Sequence, residues 1–341
     1  MQKWNWKHAA AGIAVILLLS LTMLLVLYQQ WDRVLASLAA VSWGSLTLLI
    51  LLGLLATVFD SLSHWAMVRT SLENFTPGQA IELVYLALFS NVATLTAGTL
   101  PLQGYYLHQH GMMAGAGVGT LLVEYTLHKA MVLCYAAVLL LFGSGWLTLH
   151  STGYMGYLWA GYGVAILIIT FLVVICCSSR IQVFLSKLID RAPAKGSMAA
   201  RKATWQFQLS ALGEQSRRIF QSRRACLLSV LFTVLKLFTL YSIPFVCLRA
   251  LGADGLRYGQ VQLLAALMEL LAGAIPNIGG IGPTEASFLL IFSPFVGQTA
   301  AISALILYRI VTYYIPFLLG GAVLLRWQRS IRPREKCSVG G

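Results

Sequence analysis

The sequence predicts an all-α, polytopic integral membrane protein with about six full spans and two oppositely oriented re-entrant helical hairpins. Three observations carry this expectation. Of the 341 residues, 58% are hydrophobic and 10% charged, whereas a soluble domain carries about a quarter charged residues. The mean hydropathy is +0.78. The apolar residues also fall into long runs, each with the roughly 20 residues a helix needs to cross a bilayer.

Residues 9–28 form an uncharged run behind Lys3 and Lys7. The run is too long for the apolar core of a signal peptide, and no small-residue cleavage site follows, so an uncleaved span is expected. Residues 31–41 are mildly amphipathic and expected at the interface. Further apolar segments cover 41–68, 78–99, 112–142, 154–177, 227–251, 261–296 and 300–327. Residues 178–225 differ sharply: they hold ten Lys or Arg and two acids, Asp190 and Glu214. Short amphipathic surface helices on anionic lipid are expected there. The chain therefore reads as a single transmembrane domain (1–341). Its parts are an N-terminal half (1–177), a basic cytoplasmic loop (178–225), a C-terminal half (226–327) and a cytoplasmic tail (328–341).

Basic residues orient the chain. Lys3 and Lys7, the middle loop, and Arg326, Arg329, Arg332, Arg334 and Lys336 of the tail all belong on the cytoplasmic side. Both termini are thus expected in the cytoplasm, with the protein in the cell (inner) membrane. An even number of crossings must then separate each pair of basic regions, so one apolar segment in each half must turn back. Residues 78–99 run into Gly98, Pro101 and Gly104, and residues 261–296 are broken by Pro276, Gly279, Gly280, Gly282 and Pro283. Proline removes a donor and glycine lets the backbone reverse. The two breaks are expected to enter from opposite faces, the arrangement that builds midplane sites in transporters. Alternatively, one segment is a surface helix and its glycines are packing positions.

The net charge of +13 does not indicate nucleic acid. The basic residues flank apolar runs, where they act as topology signals and attract anionic head groups. Six cysteines form no C-x-x-C pair, and neither a disulfide framework, a metal site nor a cofactor is expected.

Charge inside a span costs about 3 kcal/mol or more at a helix centre. The intramembrane set is Asp60, His64, Glu82, Glu124, His128, Lys129, Lys236, Glu269, Glu285 and Arg309. Asp60 and His64 share a helix face, as do Glu124 and His128. The first pair reads as a structural contact. The Glu124–His128–Lys129 cluster reads equally as structure or function. The second break, IPNIGGIGPTE over residues 275–285, is the sharpest signal. Pro283 suits the first helical position and Gly282 the N-cap. Gly280, Gly282 and Thr284 then present backbone N–H groups to an anion. Glu285 sits in the first turn, and Arg309 is its partner or that of a lipid phosphate. His108, beside the first break, could also bind phosphate at the interface.

The chain resembles the lysylphosphatidylglycerol synthase transmembrane region, also called the flippase-like membrane domain, over nearly its whole length. The resemblance rests on Pro276, Gly279-Gly280-Ile281-Gly282, Glu285 and Leu307-Tyr308-Arg309, with weaker support from Asn91, Leu100-Pro101, Gly104 and Val123-Glu124. The first half departs from the family pattern. Tyr105 stands where an acid is common, His108 is the closest basic residue where an Arg is expected, and Glu124-Tyr125-Thr126-Leu127-His128 replaces Glu-Arg-x-x-Asp. These departures point to a divergent substrate.

The resemblance implies a lipid flippase or transporter acting on an anionic or aminoacylated phospholipid, without the aminoacyl-transferase domain. Two other classes stay open: a membrane enzyme acting on a lipid or prenyl-phosphate head group, and a non-catalytic partner of a lipid synthase or glycosyltransferase. The sequence holds no H-E-x-x-H, D-x-x-D, P-loop or G-x-S-x-G motif, which argues against an enzyme and leaves the catalytic set empty. A homo-oligomer and a separately encoded lipid-modifying enzyme are compatible partners.

Overall fold

The computed structural model describes residues 31–149, 155–191, 197–274 and 282–338, and these are helical with short connections. The first expected span (9–28) and the centre of the second break, Gly280 included, lie outside the described residues. Four helices are long and apolar enough to cross a bilayer: Trp43–Val68, Ala114–Leu147, Arg223–Ala250 and Gln298–Ser330. A fifth is reached if Tyr162–Cys176 is taken with the bent Ser179–Arg191. This is a polytopic all-helical membrane architecture. No disulfide joins Cys134, Cys176, Cys226 or Cys247.

The helices follow from local signals. Helix α1 (Trp31–Ala39) precedes α2 (Trp43–Val68), whose N-cap Ser42 accepts a hydrogen bond from the Ser45 N–H at 3.2 Å. Helix α3 (Pro77–Ala93) opens with Pro77 behind a capping box: Thr76 and Gln79 bond each other's backbone N–H groups. Such reciprocal caps satisfy donors that have no partner within the helix. Helix α4 (Thr99–Gln109) closes the first hairpin, and α5 (Ala114–Leu149), α6 (Met155–Cys177), α7 (Ser179–Arg191) and α8 (Ser197–Gln221) complete the first half and loop. Then come α9 (Arg223–Ala250), the second hairpin α10 (Tyr258–Ala274) and α11 (Pro283–Val296), and α12 (Gln298–Arg309). A π-helical turn at Ile310–Tyr314 joins α12 to α13 (Ile315–Ser338).

The hairpins hold the expected breaks, with one correction. The first turn lies at 94–98, ahead of Pro101, which instead sits in the first turn of α4 while Gly104 is inside the helix. The reversal is made by Leu95 and Thr96, at φ 51° and 78°, and is held by Thr94 Oγ1, which accepts from the Gly98 N–H at 2.7 Å. A β-branched residue rarely adopts positive φ, so surrounding structure must enforce this turn. Across the hairpin, the Tyr106 hydroxyl donates to Glu82 at 2.8 Å.

Helices α2 and α9 form the central pair. Their interface is polar and close: the Ser63 hydroxyl meets those of Ser229 at 2.6 Å and Thr233 at 3.2 Å. Small and hydroxyl residues are the usual glue between helices in lipid. The first hairpin packs its α3 on α13, and the second packs its α10 on both α5 and α6. At the first contact, Gly320 meets the Tyr85 carbonyl and the Phe89 side chain with no room for a Cβ.

Helix α1 docks on the bundle: Val34 is buried with Ile302 against Leu289 and Ile306. One expectation is corrected by packing. Helix α8 is 25 residues long and is not merely a surface helix. Its Ala211, Gln215 and Ile219 are buried where Gly119 of α5 lets the backbones meet. Helix α7 fits the amphipathic expectation. It turns 97° from α6 and leaves Val183, Phe184 and Leu188 exposed.

Candidate functional site

A cavity of about 620 Å³ lies where the central pair, both hairpins and the π-turn converge. That is within the range of roughly 300–1,000 Å³ of small-molecule sites. Its charged lining comes from five helices: Asp60 of α2, Lys129 of α5, Lys236 of α9, Glu269 of α10 and Arg309 of α12. Tyr125 of α5 and Ile168 of α6 line it too and are both exposed.

Charges in an apolar bundle must find partners, and most here do so between helices. Lys236 Nζ lies 2.8 Å from Asp60 Oδ1. His64, one turn along α2, stands between Asp60 and Glu124, with Nε2 3.3 Å from Glu124 Oε2. On the other side, His128 Nε2 is 3.4 Å from Glu269 Oε1, while the Tyr241 hydroxyl donates to Glu269 Oε2 at 2.8 Å. The two i,i+4 pairs noted in the sequence therefore fare differently. Asp60 and His64 keep a contact at 3.8 Å, but Glu124 and His128 turn to partners on α2 and α10.

Glu285 and Arg309 meet as expected, at 2.5 Å, with side chains 12% and 11% exposed. Pro283 is the first residue of α11, and Glu285 Oε2 also accepts from the Gly282 N–H at 2.7 Å. One carboxylate thus caps the half-helix and fixes the guanidinium. Gly282, at φ 99°, supplies the left-handed backbone this entrance requires. Arg309 further lies over the Tyr313 ring, 5.1 Å from its centroid. The π-turn begins at the residue after Arg309, and such turns occur often at functional sites.

Of the expected residues, Lys129, Thr284 and Arg309 line the cavity. Glu285, Gly282, Glu124 and His128 stand behind it as partners or caps. His108 lies elsewhere, exposed at the end of α4 with Nδ1 3.1 Å from the Met112 carbonyl. Asp60, Lys236, Glu269 and Tyr241 were not among the expected binding residues. For Asp60, Lys236 and Glu269 the signal was the charge itself within an apolar run; Tyr241 gave none. By distance, Asp60, His64 and Glu124 would also suit a divalent ion, with ligand atoms within 4.8 Å of one another. Lys236 already fills the cation's place at Asp60, so the group is an ion-pair network.

Three cations face the cavity. Lys236 and Arg309 each have a carboxylate at ion-pair distance. Among the described residues, Lys129 has none, and its ammonium lies 5.7 Å from the Tyr125 ring centroid. No curated protein matches the chain. The family model for the lysylphosphatidylglycerol synthase TM region matches residues 10–320, and the chain belongs to that family of membrane proteins related to lipid handling.

Proposed function

We propose that this protein is a transporter that moves an anionic or aminoacylated phospholipid across the cytoplasmic membrane, without an enzymatic step of its own. The observation that carries the reading is Lys129: an ammonium with no carboxylate at ion-pair distance among the described residues, in a cavity it shares with the exposed Tyr125 and Ile168. A phosphate there would meet Lys129 directly. It would find Lys236 and Arg309 within the same lining, and the first turn of α11 at Thr284. In this reading the termini and residues 178–225 face the cytoplasm, and the hairpins enter the membrane from opposite sides.

The test is lipid movement in proteoliposomes containing a fluorescent phosphatidylglycerol, with leaflet exposure read by dithionite quenching. A charge-assisted hydrogen bond contributes about 1.5–3 kcal/mol. Lys129→Gln is therefore expected to slow movement by roughly ten-fold to a hundred-fold. Folded Lys129→Gln protein that moves lipid at the wild-type rate would overturn the site.

A further inference from the structure

We infer that Glu269 is the subsite for a primary ammonium on the head group, so that the cavity selects a lipid carrying both a phosphate and an amine over one carrying a phosphate alone. This rests on the cavity being a lipid head-group site, and assigns the residue that sets its specificity.

Two carboxylates line the cavity among the described residues, Asp60 and Glu269, and they are matched differently. Asp60 has a permanent cation, with Lys236 Nζ 2.8 Å away. Glu269 has none at ion-pair distance among the described residues. Its partners are the Tyr241 hydroxyl, which donates to Oε2 at 2.8 Å, and His128, whose Nε2 lies 3.4 Å from Oε1.

The same geometry makes His128 neutral. Its Nδ1 is buried without a hydrogen-bond partner. An imidazolium would place an N–H there with nothing to accept it, which is most costly for a charged donor. The neutral tautomer with its hydrogen on Nε2 points that hydrogen toward Glu269 and leaves only a lone pair at Nδ1. Glu269 is therefore a carboxylate oriented by two neutral donors. Lys129 is its converse, a cation in the same lining with no carboxylate at ion-pair distance among the described residues.

These two unmatched charges meet the same stretch of α10. Lys129 Nζ is 3.9 Å from the position a Cβ on Gly273 would take, and Gly273 follows Glu269 by one helical turn. Lys129, Glu269 and Gly273 also line a narrow side cleft with Val132 of α5 and Ala165 of α6. A head group laid along this turn puts its phosphate at the Lys129 ammonium, where Gly273 has no side chain to obstruct it, and its ammonium at Glu269. The rise of one turn is about 5.4 Å, a separation that a short linker between phosphate and amine spans.

A charge left unmatched in an apolar interior is costly, so a ligand that answers both charges gains more than one that answers Lys129 alone. A head group without an amine also brings its negative charge beside a second negative charge, Glu269. That repulsive element turns a difference in attraction into selection. An ethanolamine phosphate and an aminoacyl ester of a glycerol phosphate both present the required pair of charges.

The experiment uses the full chain in phosphatidylcholine vesicles, with trace lipids labelled fluorescently on an acyl chain and leaflet exposure read by dithionite quenching. The probes are phosphatidylethanolamine, an aminoacyl phosphatidylglycerol, and the N-acetylated form of each, which keeps the phosphate and linker but loses the ammonium. Wild-type protein is expected to move at least one amine lipid roughly tenfold faster than its acetylated form, and the pair showing the larger ratio identifies the source of the amine. Glu269→Gln should bring that ratio close to one. Tyr241→Phe keeps the charge but releases Oε2, and should lower the ratio in part, which a loss of stability alone would not do. Equal rates for the amine and acetylated forms of both lipids in wild-type protein overturn the subsite and leave the lipid reading standing. A preference that survives in folded Glu269→Gln protein overturns it too. Should Glu269→Gln fail to fold, an unchanged ratio in Tyr241→Phe does the same. No movement of any probe overturns both the subsite and the lipid reading.

Discussion

Removing Arg309 alone should destabilise the fold far more than removing it together with Glu285. The two side chains are 11% and 12% exposed and in direct contact. Arg309→Gln leaves Glu285 as a buried carboxylate whose remaining donor is the Gly282 N–H. Breaking a buried pair by removing one partner costs about 3–5 kcal/mol, and this near-complete burial places the expected loss in that range. Glu285→Gln should cost somewhat more locally, because the same carboxylate also caps α11. The double change Glu285→Gln, Arg309→Gln restores neutrality and should recover most of the loss, so the two single losses should sum to clearly more than the double's. Unfolding in detergent, followed by fluorescence or by cysteine accessibility, gives the four stabilities. Lipid movement in proteoliposomes gives the second readout. On the proposed reading the double variant is stable yet inactive, because the guanidinium is lost, and Arg309→Lys rescues only in part, because the planar fork is lost. A double variant that is both stable and as active as wild type would refute a role for the guanidinium in binding. Additive stabilities would refute the pair itself.

Two further perturbations address the frame around the site. Gly320→Leu should separate α13 from α3, since a Cβ there would overlap the Tyr85 carbonyl and the Phe89 side chain; a loss of about 1–3 kcal/mol is expected from overpacking, and an unchanged unfolding midpoint would contradict the contact. Single cysteines at Asp254 and Ser210 in a Cys-free background should label from opposite sides of the membrane, Asp254 in intact cells and Ser210 only after permeabilisation; labelling of Ser210 in intact cells would reverse the orientation.

The sequence carried the spans because length and apolarity alone decide them. The edges of α2, α6 and α9 fall within a few residues of the apolar runs that announced them. The Glu285–Arg309 pair was legible for a different reason. Pro283 and Gly282 fix where a helix begins, which places Glu285 in the first turn, and in the following apolar segment Arg309 is the basic residue away from the tail end, where Arg326 stands. The first hairpin's turn was not legible in the same way. Its reversal is made by Leu95 and Thr96, residue types that give no signal of positive φ, while the more obvious Pro101 and Gly104 are helical.

Ion pairing within the bundle shows where one-dimensional spacing stops being informative. Glu124 and His128 are ideally placed for an i,i+4 contact, yet such a contact is worth only about 0.2–0.5 kcal/mol. Leaving a charge of a neighbouring helix unpaired in the same interior costs far more. His64 and Glu269 present such charges to α5, so Glu124 and His128 each turn outward to satisfy them. Sequence spacing ranks the local contact first because it cannot see which helix lies alongside. The resulting network bears on the proposed function. Buried ion pairs seldom stabilise a fold more than well-packed apolar residues of the same volume would. Stability therefore gives no reason for three carboxylate-bound side chains, Lys236, His128 and Arg309, to gather around one cavity. Exchange gives one: two of those partners, Lys236 and Arg309, face the cavity itself, where a phosphate can take the place of Asp60 or Glu285. On the proposed reading Lys129, with no carboxylate at ion-pair distance among the described residues, is where an arriving phosphate binds before any pair has to open.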